Sequence, residues 1–245
     1  MELACQRLGY EKLKDEQLRT VTDVLSGHDT FVSLPTGYGK SLCYAILPWA
    51  FDELRNTEKA SIVLVVSPLV SLTTDQVQKF TSKGMTAAAA SDVSKSEGIL
   101  AGNFQLIYFS PEELILKEQW RSMLLSPMFQ LNLVAFVVDE AHCVTKWGES
   151  FRKEFRQLGE IRSLIPPSTR VMALTATAST KTRQEVIHIL GMRNPSINAI
   201  SPHKSNIIYW VAERESVEKC LAPVIDKLKL WKSGSGYETK ADMRT

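Results

Sequence analysis

A lysine and a serine at the end of a glycine-bearing turn, in Leu34-Pro35-Thr36-Gly37-Tyr38-Gly39-Lys40-Ser41, could do phosphate chemistry. The apolar residues Phe31 to Leu34 before the turn read as a strand, and those from Ser41 read as a helix. In that order Gly37 and Gly39 let the backbone curl, so that several N–H groups converge on an anion with the positive end of a helix behind them. Thr36, Gly37, Gly39 and Lys40 would cradle the phosphates, and the Ser41 hydroxyl would ligate the Mg2+ that accompanies them. Leu34 stands five residues before Gly39, where the full pattern has glycine. The same residues also fit a plain turn with two positive-φ glycines and an exposed lysine. About 100 residues later, Asp139-Glu140 closes an apolar strand. One carboxylate there can hold Mg2+ through water, and its neighbour can polarise a water that attacks a terminal phosphate. Alone, the pair reads equally well as a solvent-facing strand end. Taken together the two stretches complete each other, and they specify hydrolysis of a nucleoside triphosphate.

The elements that must position these groups are legible from apolar pattern. Helical spacing of Leu18, Val21, Val24 and Leu25 predicts a helix over 11–26, ended by Gly27. The β-branched run Ile62 to Val66 reads as a strand buried on both faces, as in a parallel sheet. Further strands are expected at 86–90, 105–109, 133–138, 170–174 and 206–213, with helices at 41–50, 72–82, 112–125, 152–164, 179–190 and 217–229. Residues 92–98 are polar enough for a loop. This alternation argues an α/β domain with a mostly parallel central sheet, whose carboxyl edge is where such folds bind ligands. The motor domain is expected over 1–213, a linker helix over 214–232 and a disordered tail over 233–245, where Gly, Ser and mixed charge show no apolar period.

Composition narrows the class further. With 44% hydrophobic and 23% charged residues the 245-residue chain is of ordinary soluble type, and a net charge of +2 is too mild to establish a polyanion partner. The four cysteines lie far apart, with no C-x-x-C pair and no histidine cluster at ligand spacing. No structural zinc and a reducing, intracellular compartment are therefore expected. No apolar run approaches the roughly 20 residues that span a bilayer, so no membrane partner is expected.

At these motifs the chain resembles superfamily 2 helicases, and within them the RecQ family. Leu34 to Tyr44 is similar to that family's first motif, with Tyr38 in place of its third glycine. Asp139-Glu140-Ala141-His142-Cys143 is similar to its second motif, and Thr175-Ala176-Thr177-Ala178 to its third. Trp147 to Phe155 resembles the aromatic-rich loop that sets RecQ proteins apart, with Glu149 and Ser150 where the family has a histidine and an acidic residue. Gly9-Tyr10 with Lys14 and Gln17 resembles the adenine-recognition motif, with Leu13 in place of its aromatic residue and Lys14 in place of its arginine.

The resemblance covers roughly residues 5 to 213. It implies a three-layer RecA-like P-loop NTPase domain that uses ATP and Mg2+ in a 3'-5' DNA helicase, nuclear where the source is eukaryotic. It assigns catalysis to Lys40, Asp139, Glu140 and His142, metal binding to Ser41 and Asp139, and base recognition to Lys14 and Gln17. Single-stranded or forked DNA would meet Ser67, Ser110, Trp147, Phe151 and Arg152, while Thr175 and Thr177 would couple DNA to hydrolysis.

Without the resemblance plainer readings stay open: strand-to-helix caps at Ser67-Pro68 and Ser110-Pro111, an apolar helix face at Phe151 and Phe155, and a core histidine at His142. Helicases of this class close two RecA-like domains on ATP, the second supplying arginines worth on the order of 1,000-fold or more in rate. That second domain is expected but has no counterpart in the 245 residues, so the chain by itself is expected to hydrolyse ATP slowly and not to unwind duplex. Two other classes compete: a nucleotide- or DNA-binding module without turnover, and an RNA-directed superfamily 2 motor. His142 and Cys143, together with the aromatic loop, argue against the motor.

Overall fold

The computed structural model describes residues 2–57, 60–146, 154–201, 207 and 216–232. It divides into two compact units, Met1–Pro202 and His203–Thr245. The expected strand at 206–213, apart from Ile207, and the expected tail at 233–245 lie outside the described residues.

In the first unit the expected strands form around continuous β-branched and aromatic runs. They are β1 (Thr30–Ser33), β2 (Ile62–Val66), β3 (Ala87–Ala89), β4 (Leu106–Phe109), β5 (Leu133–Val138) and β6 (Arg170–Thr175). A further strand that the sequence reading does not predict, β7 (Ser196–Ala199), adds to the edge beside β1. All seven strands pair in parallel in the order β3-β4-β2-β5-β6-β1-β7. Helices α1 (Glu2–Arg7) and α2 (Asp15–Leu25) precede the first strand. Parallel strands need crossovers, and these are supplied by α3 (Lys40–Ala45), α4 (Leu47–Arg55), α5 (Val70–Thr81), α6 (Ser96–Leu100), α7 (Pro111–Leu116), α8 (Glu118–Leu124), α9 (Pro127–Asn132), α10 (Cys143–Lys146), α11 (Glu154–Gln157) and α12 (Thr180–Ile189).

Period-two alternation divides the core between the two faces of the sheet. Ile62, Leu64 and Val66 face one cluster with Phe136 and Trp120, and Val63 and Val65 face another with Tyr44 and Tyr108. Both faces are therefore covered, which is the three-layer α/β architecture expected.

Several expected helices differ in detail. The helix at 41–50 breaks at Ile46, because Pro48 lacks the N–H that a continuous helix would use and instead opens α4. The helix at 112–125 breaks at Lys117, whose extended backbone (φ −93, ψ 111) separates α7 from α8. Residues 92–98, expected as a loop, hold a 3-10 turn (Val93–Lys95) capped by the Asp92 carboxylate and the start of α6.

The second unit carries α13 (Val217–Lys232), with Pro223 inside it. Val217, Leu221, Val224, Ile225 and Leu228 are exposed along it at helical spacing. Among the described residues no helix is long and apolar enough to cross a membrane.

Candidate nucleotide site at the carboxyl edge of the sheet

Four adjacent strands, β2, β5, β6 and β1, end side by side, and backbone bonds stitch their exits together. Leu34 N–H donates to Thr175 O at 3.1 Å, Ala141 N–H to Leu174 O at 2.8 Å and Asp139 N–H to Val66 O at 2.9 Å. The topology thus brings Lys40, Asp139, Glu140, His142 and Thr175 to one edge. Leu34, where a glycine was expected, is fully buried in the core, so the leading position of the turn serves packing.

Gly37 (φ 82) and Gly39 (φ 91) take the left-handed conformations that the turn requires, and Gly39 leads directly into α3. Thr36, Gly37 and Gly39 are exposed, as a phosphate cradle must be, while Ser41 is half-buried in the first turn of α3. Lys40 Nζ donates to Leu34 O at 3.2 Å. Gln17, almost fully buried on α2, donates from Nε2 to Tyr38 O (3.0 Å) and Gly39 O (3.1 Å), and its Oε1 accepts the Lys14 N–H at 2.9 Å. Leu13 is a core residue and offers no stacking plane.

Asp139 and Glu140 lie in contrasting environments. Burial, and then the charge of Glu140, push Asp139 up to about 6, against the opposing influence of Lys40. Glu140 is held below the usual carboxylate range by its contact with His142, whose Nδ1 lies 3.3 Å from Oε2. Glu140 also adopts a left-handed backbone (φ 48), a strained state for a side-chain-bearing residue, costing of order 1 kcal/mol or more.

His142 Nδ1 also lies 3.0 Å from Thr175 Oγ1. Because that hydroxyl donates to Thr177 O (3.0 Å), it accepts from the imidazole, which places a proton on Nδ1. Thr177 N–H closes the turn onto the same oxygen at 3.2 Å. Of the two proposed coupling residues, Thr175 therefore touches the second motif directly, and Thr177 holds Thr175.

Cys143 Sγ, 3.7 Å from Nε2, and then Glu140 push His142 up to about 9. That lies above its unfolded value of about 6.5, so the stabilisation is fully present below that pH and is lost as pH rises through 9. Denaturant midpoints should therefore fall between pH 7 and 9.5. His142→Asn should flatten that fall; an equal slope in the variant would remove His142 as its cause.

The metal fit can be judged from the donors. Among the described residues no three or more His, Cys, Asp or Glu groups cluster to hold a metal ion. One carboxylate, Asp139, and one hydroxyl, Ser41, are hard oxygen donors of the kind Mg2+ takes when substrate phosphates and waters complete its shell.

The candidate DNA contacts are less uniform. Ser67 is buried, and its hydroxyl has no hydrogen-bond partner among the described residues. Ser110 caps α7, its hydroxyl accepting the Glu113 N–H at 3.2 Å, so the plainer reading describes what that side chain does here. Trp147, Phe151 and Arg152 lie outside the described residues. An open cleft of about 620 Å3 adjoins the site, lined by Ser33, Thr177, Ser179, Thr182, Arg183 and Ser201 among others. The sequence reading overlooked Glu16, whose carboxylate accepts the Tyr38 hydroxyl. An acid in the first turn of a helix was its only signal.

A parallel sheet with a glycine-turned lysine beside a strand-end Asp-Glu pair defines the class of phosphate-binding α/β domains. The chain belongs to the DEAD/DEAH box helicase family, whose model matches residues 14–186, and residues 139–142 spell Asp-Glu-Ala-His. It is 32% identical over 228 residues to the RecQ-like DNA helicase BLM of Xenopus laevis, covering 88% of this chain and 16% of that protein. It is 35% identical over 210 residues to the probable ATP-dependent DNA helicase RecS of Bacillus subtilis, covering 82% of this chain and 39% of that one. The chain thus spans well under half the length of either relative. The DUF1998 helicase MrfA, in a crystal structure bound to DNA, shares the fold with a TM-score of 0.62 at 16% identity, over 81% of this chain and 29% of MrfA.

Proposed function

We propose that the chain is the ATP-binding domain of a RecQ-like 3'-5' DNA helicase. It binds Mg-ATP at the Lys40 loop and hydrolyses it slowly, and it contacts single-stranded or forked DNA. Where the source is eukaryotic it works in the nucleus. The observation that carries this reading is topological: neighbouring strands β1, β6 and β5 bring the glycine turn with Lys40 and the Asp139-Glu140 pair to one carboxyl edge of the sheet.

The roles follow from the groups present. Lys40 and the N–H groups of the turn bind phosphate oxygens, and Ser41 and Asp139 hold Mg2+. Gln17, its amide held on the Tyr38 and Gly39 carbonyls, supports the loop and does not reach a base. Bound Mg2+ would supply positive charge to neutralise the transferring phosphoryl. Glu140, kept ionised by His142, orients and deprotonates the attacking water. His142 and Thr175 then link that carboxylate to the chain that leads to α12. Arginines from a second RecA-like domain would complete the charge stabilisation, which is why the 245 residues alone should turn over slowly.

The test compares Mg-ATP binding and ATPase rate with and without single-stranded DNA or RNA. Binding, with slow turnover raised more by DNA than by RNA, is expected. Nucleotide binding by neither the protein alone nor its DNA mixture would overturn the reading, and stronger stimulation by RNA would redirect it to an RNA motor. Strand separation by the purified chain would refute its dependence on a second domain.

A further inference from the structure

Tyr38 interrupts the run of glycines in the phosphate loop, yet it is not among the residues with positive φ. Glycine is thus not required by the backbone at that position, and a side chain is admitted without strain. That side chain leaves the loop and reaches the first turn of α2. Its hydroxyl donates to the Glu16 carboxylate, and Lys14 Nζ sits 4.3 Å from the centre of its ring. The bond to Glu16, and then partial burial, push the phenol up to about 12.

Beneath this contact, Gln17 holds the carbonyls of Tyr38 and Gly39 toward α2. A trans peptide carries its C=O and N–H on opposite sides. The N–H groups of Gly39 and Lys40, the second halves of those two peptides, are therefore turned away from α2, as an anion cradle needs. Gln17 fixes the backbone from within, and Tyr38 fastens the same peptides from outside.

The geometry points to a clasp, Tyr38 held by Glu16 and Lys14, that keeps the phosphate loop in its anion-receiving shape before a nucleotide arrives. Tyr38 is on this account a positioning residue: it acts through the loop and not on the base. The inference rests on the reading of the loop as a phosphate site, and it adds what sets the loop's shape in this chain. A loop tied at both faces loses less freedom on binding. The clasp should therefore raise affinity for anything carrying the phosphates, whatever base is attached.

Two measurements test it on the full chain. Hydrogen exchange of residues 36–41 is followed without nucleotide, and affinity is measured for Mg-ADP, Mg-GDP and magnesium tripolyphosphate. The variants are Tyr38→Phe, which keeps the ring on Lys14, Glu16→Ala, which removes the acceptor, and the two combined. Each single variant should speed exchange in the loop and weaken all three ligands by the same factor, about threefold to tenfold for one charge-assisted hydrogen bond. The double variant should be no worse than the poorer single one, because both remove one bond. The thermal midpoint should fall by no more than about 2–4 °C, the shift expected of one lost hydrogen bond in a domain of this size, and a larger fall would mean general destabilisation.

Unchanged exchange and affinity would overturn the clasp. So would tighter binding, which would make Tyr38 an obstruction, or a loss confined to Mg-ADP, which would make it a base contact. If exchange quickens as expected but no ligand binds even the unaltered protein, the clasp stands as a loop restraint and the phosphate-site reading falls.

Discussion

Replacing Lys40 by alanine is expected to lower Mg-ATP affinity by on the order of 100-fold at neutral pH, and by more near pH 6. Two effects combine. Lys40 Nζ rests on Leu34 O at 3.2 Å, a neutral acceptor that anionic phosphate oxygens would replace with full ion pairs. Lys40 also opposes the burial that lifts Asp139 to about 6. Without the cation Asp139 rises further, and a protonated carboxylate does not hold Mg2+. The deficit should therefore deepen as pH falls from 8 to 6, because proton and metal compete for the same oxygens. Calorimetric titration of Mg-ATP at pH 6, 7 and 8 measures it. An undiminished affinity would remove Lys40 from the site, and a deficit constant with pH would break its proposed coupling to Asp139.

What was legible in the sequence was whatever local chemistry encodes. Ile62 to Val66 and Leu133 to Val138 are strands because β-branched runs with both faces apolar fit a covered parallel sheet, and each forms over those residues. Ser179 was readable as a cap, and its hydroxyl accepts the Thr182 N–H at 3.1 Å. The Lys40 turn and Asp139-Glu140 were legible as a pair because strand ends in such a sheet share one edge, whichever strands they close. What depended on distant partners was not legible.

Strand β7, Ser-Ile-Asn-Ala, carries no apolar run, and tertiary bonds set its place: Ser196 N–H to Asp29 O, and the Asn198 amide to Asp23 at 2.8 Å. Buried Asp29 likewise gathers the N–H groups of Val171 and Arg193 at 2.8 and 2.7 Å, and nothing in its neighbours Gly27-His28 announces that. Gln17 was assigned to base recognition by resemblance, but it is buried, with its amide on the Tyr38 and Gly39 carbonyls of the phosphate loop. Tyr38 looked like a departure from pattern, and Glu16 across the site accounts for it.

Glu140→Gln should leave Mg-ATP affinity within about threefold while cutting single-turnover hydrolysis on the order of 100-fold or more. Glutamine keeps the size of the side chain but cannot accept the proton of an attacking water. The left-handed backbone at Glu140 (φ 48) holds the carboxylate off the path of β5, beside His142, and the substitution leaves that geometry available.

The same change has a second consequence that a purely structural role would not produce. His142 loses one of the partners that lift it to about 9, so its pKa should drop, and the loss of stability between pH 7 and 9.5 should shrink toward that of His142→Asn. Hydrolysis and the pH profile then report two functions of one carboxylate. If turnover falls and the pH profile stays as it was, Glu140 acts on water without tuning His142. Should turnover survive intact, the water must be activated elsewhere on this edge, and the assignment of Glu140 as its base is wrong.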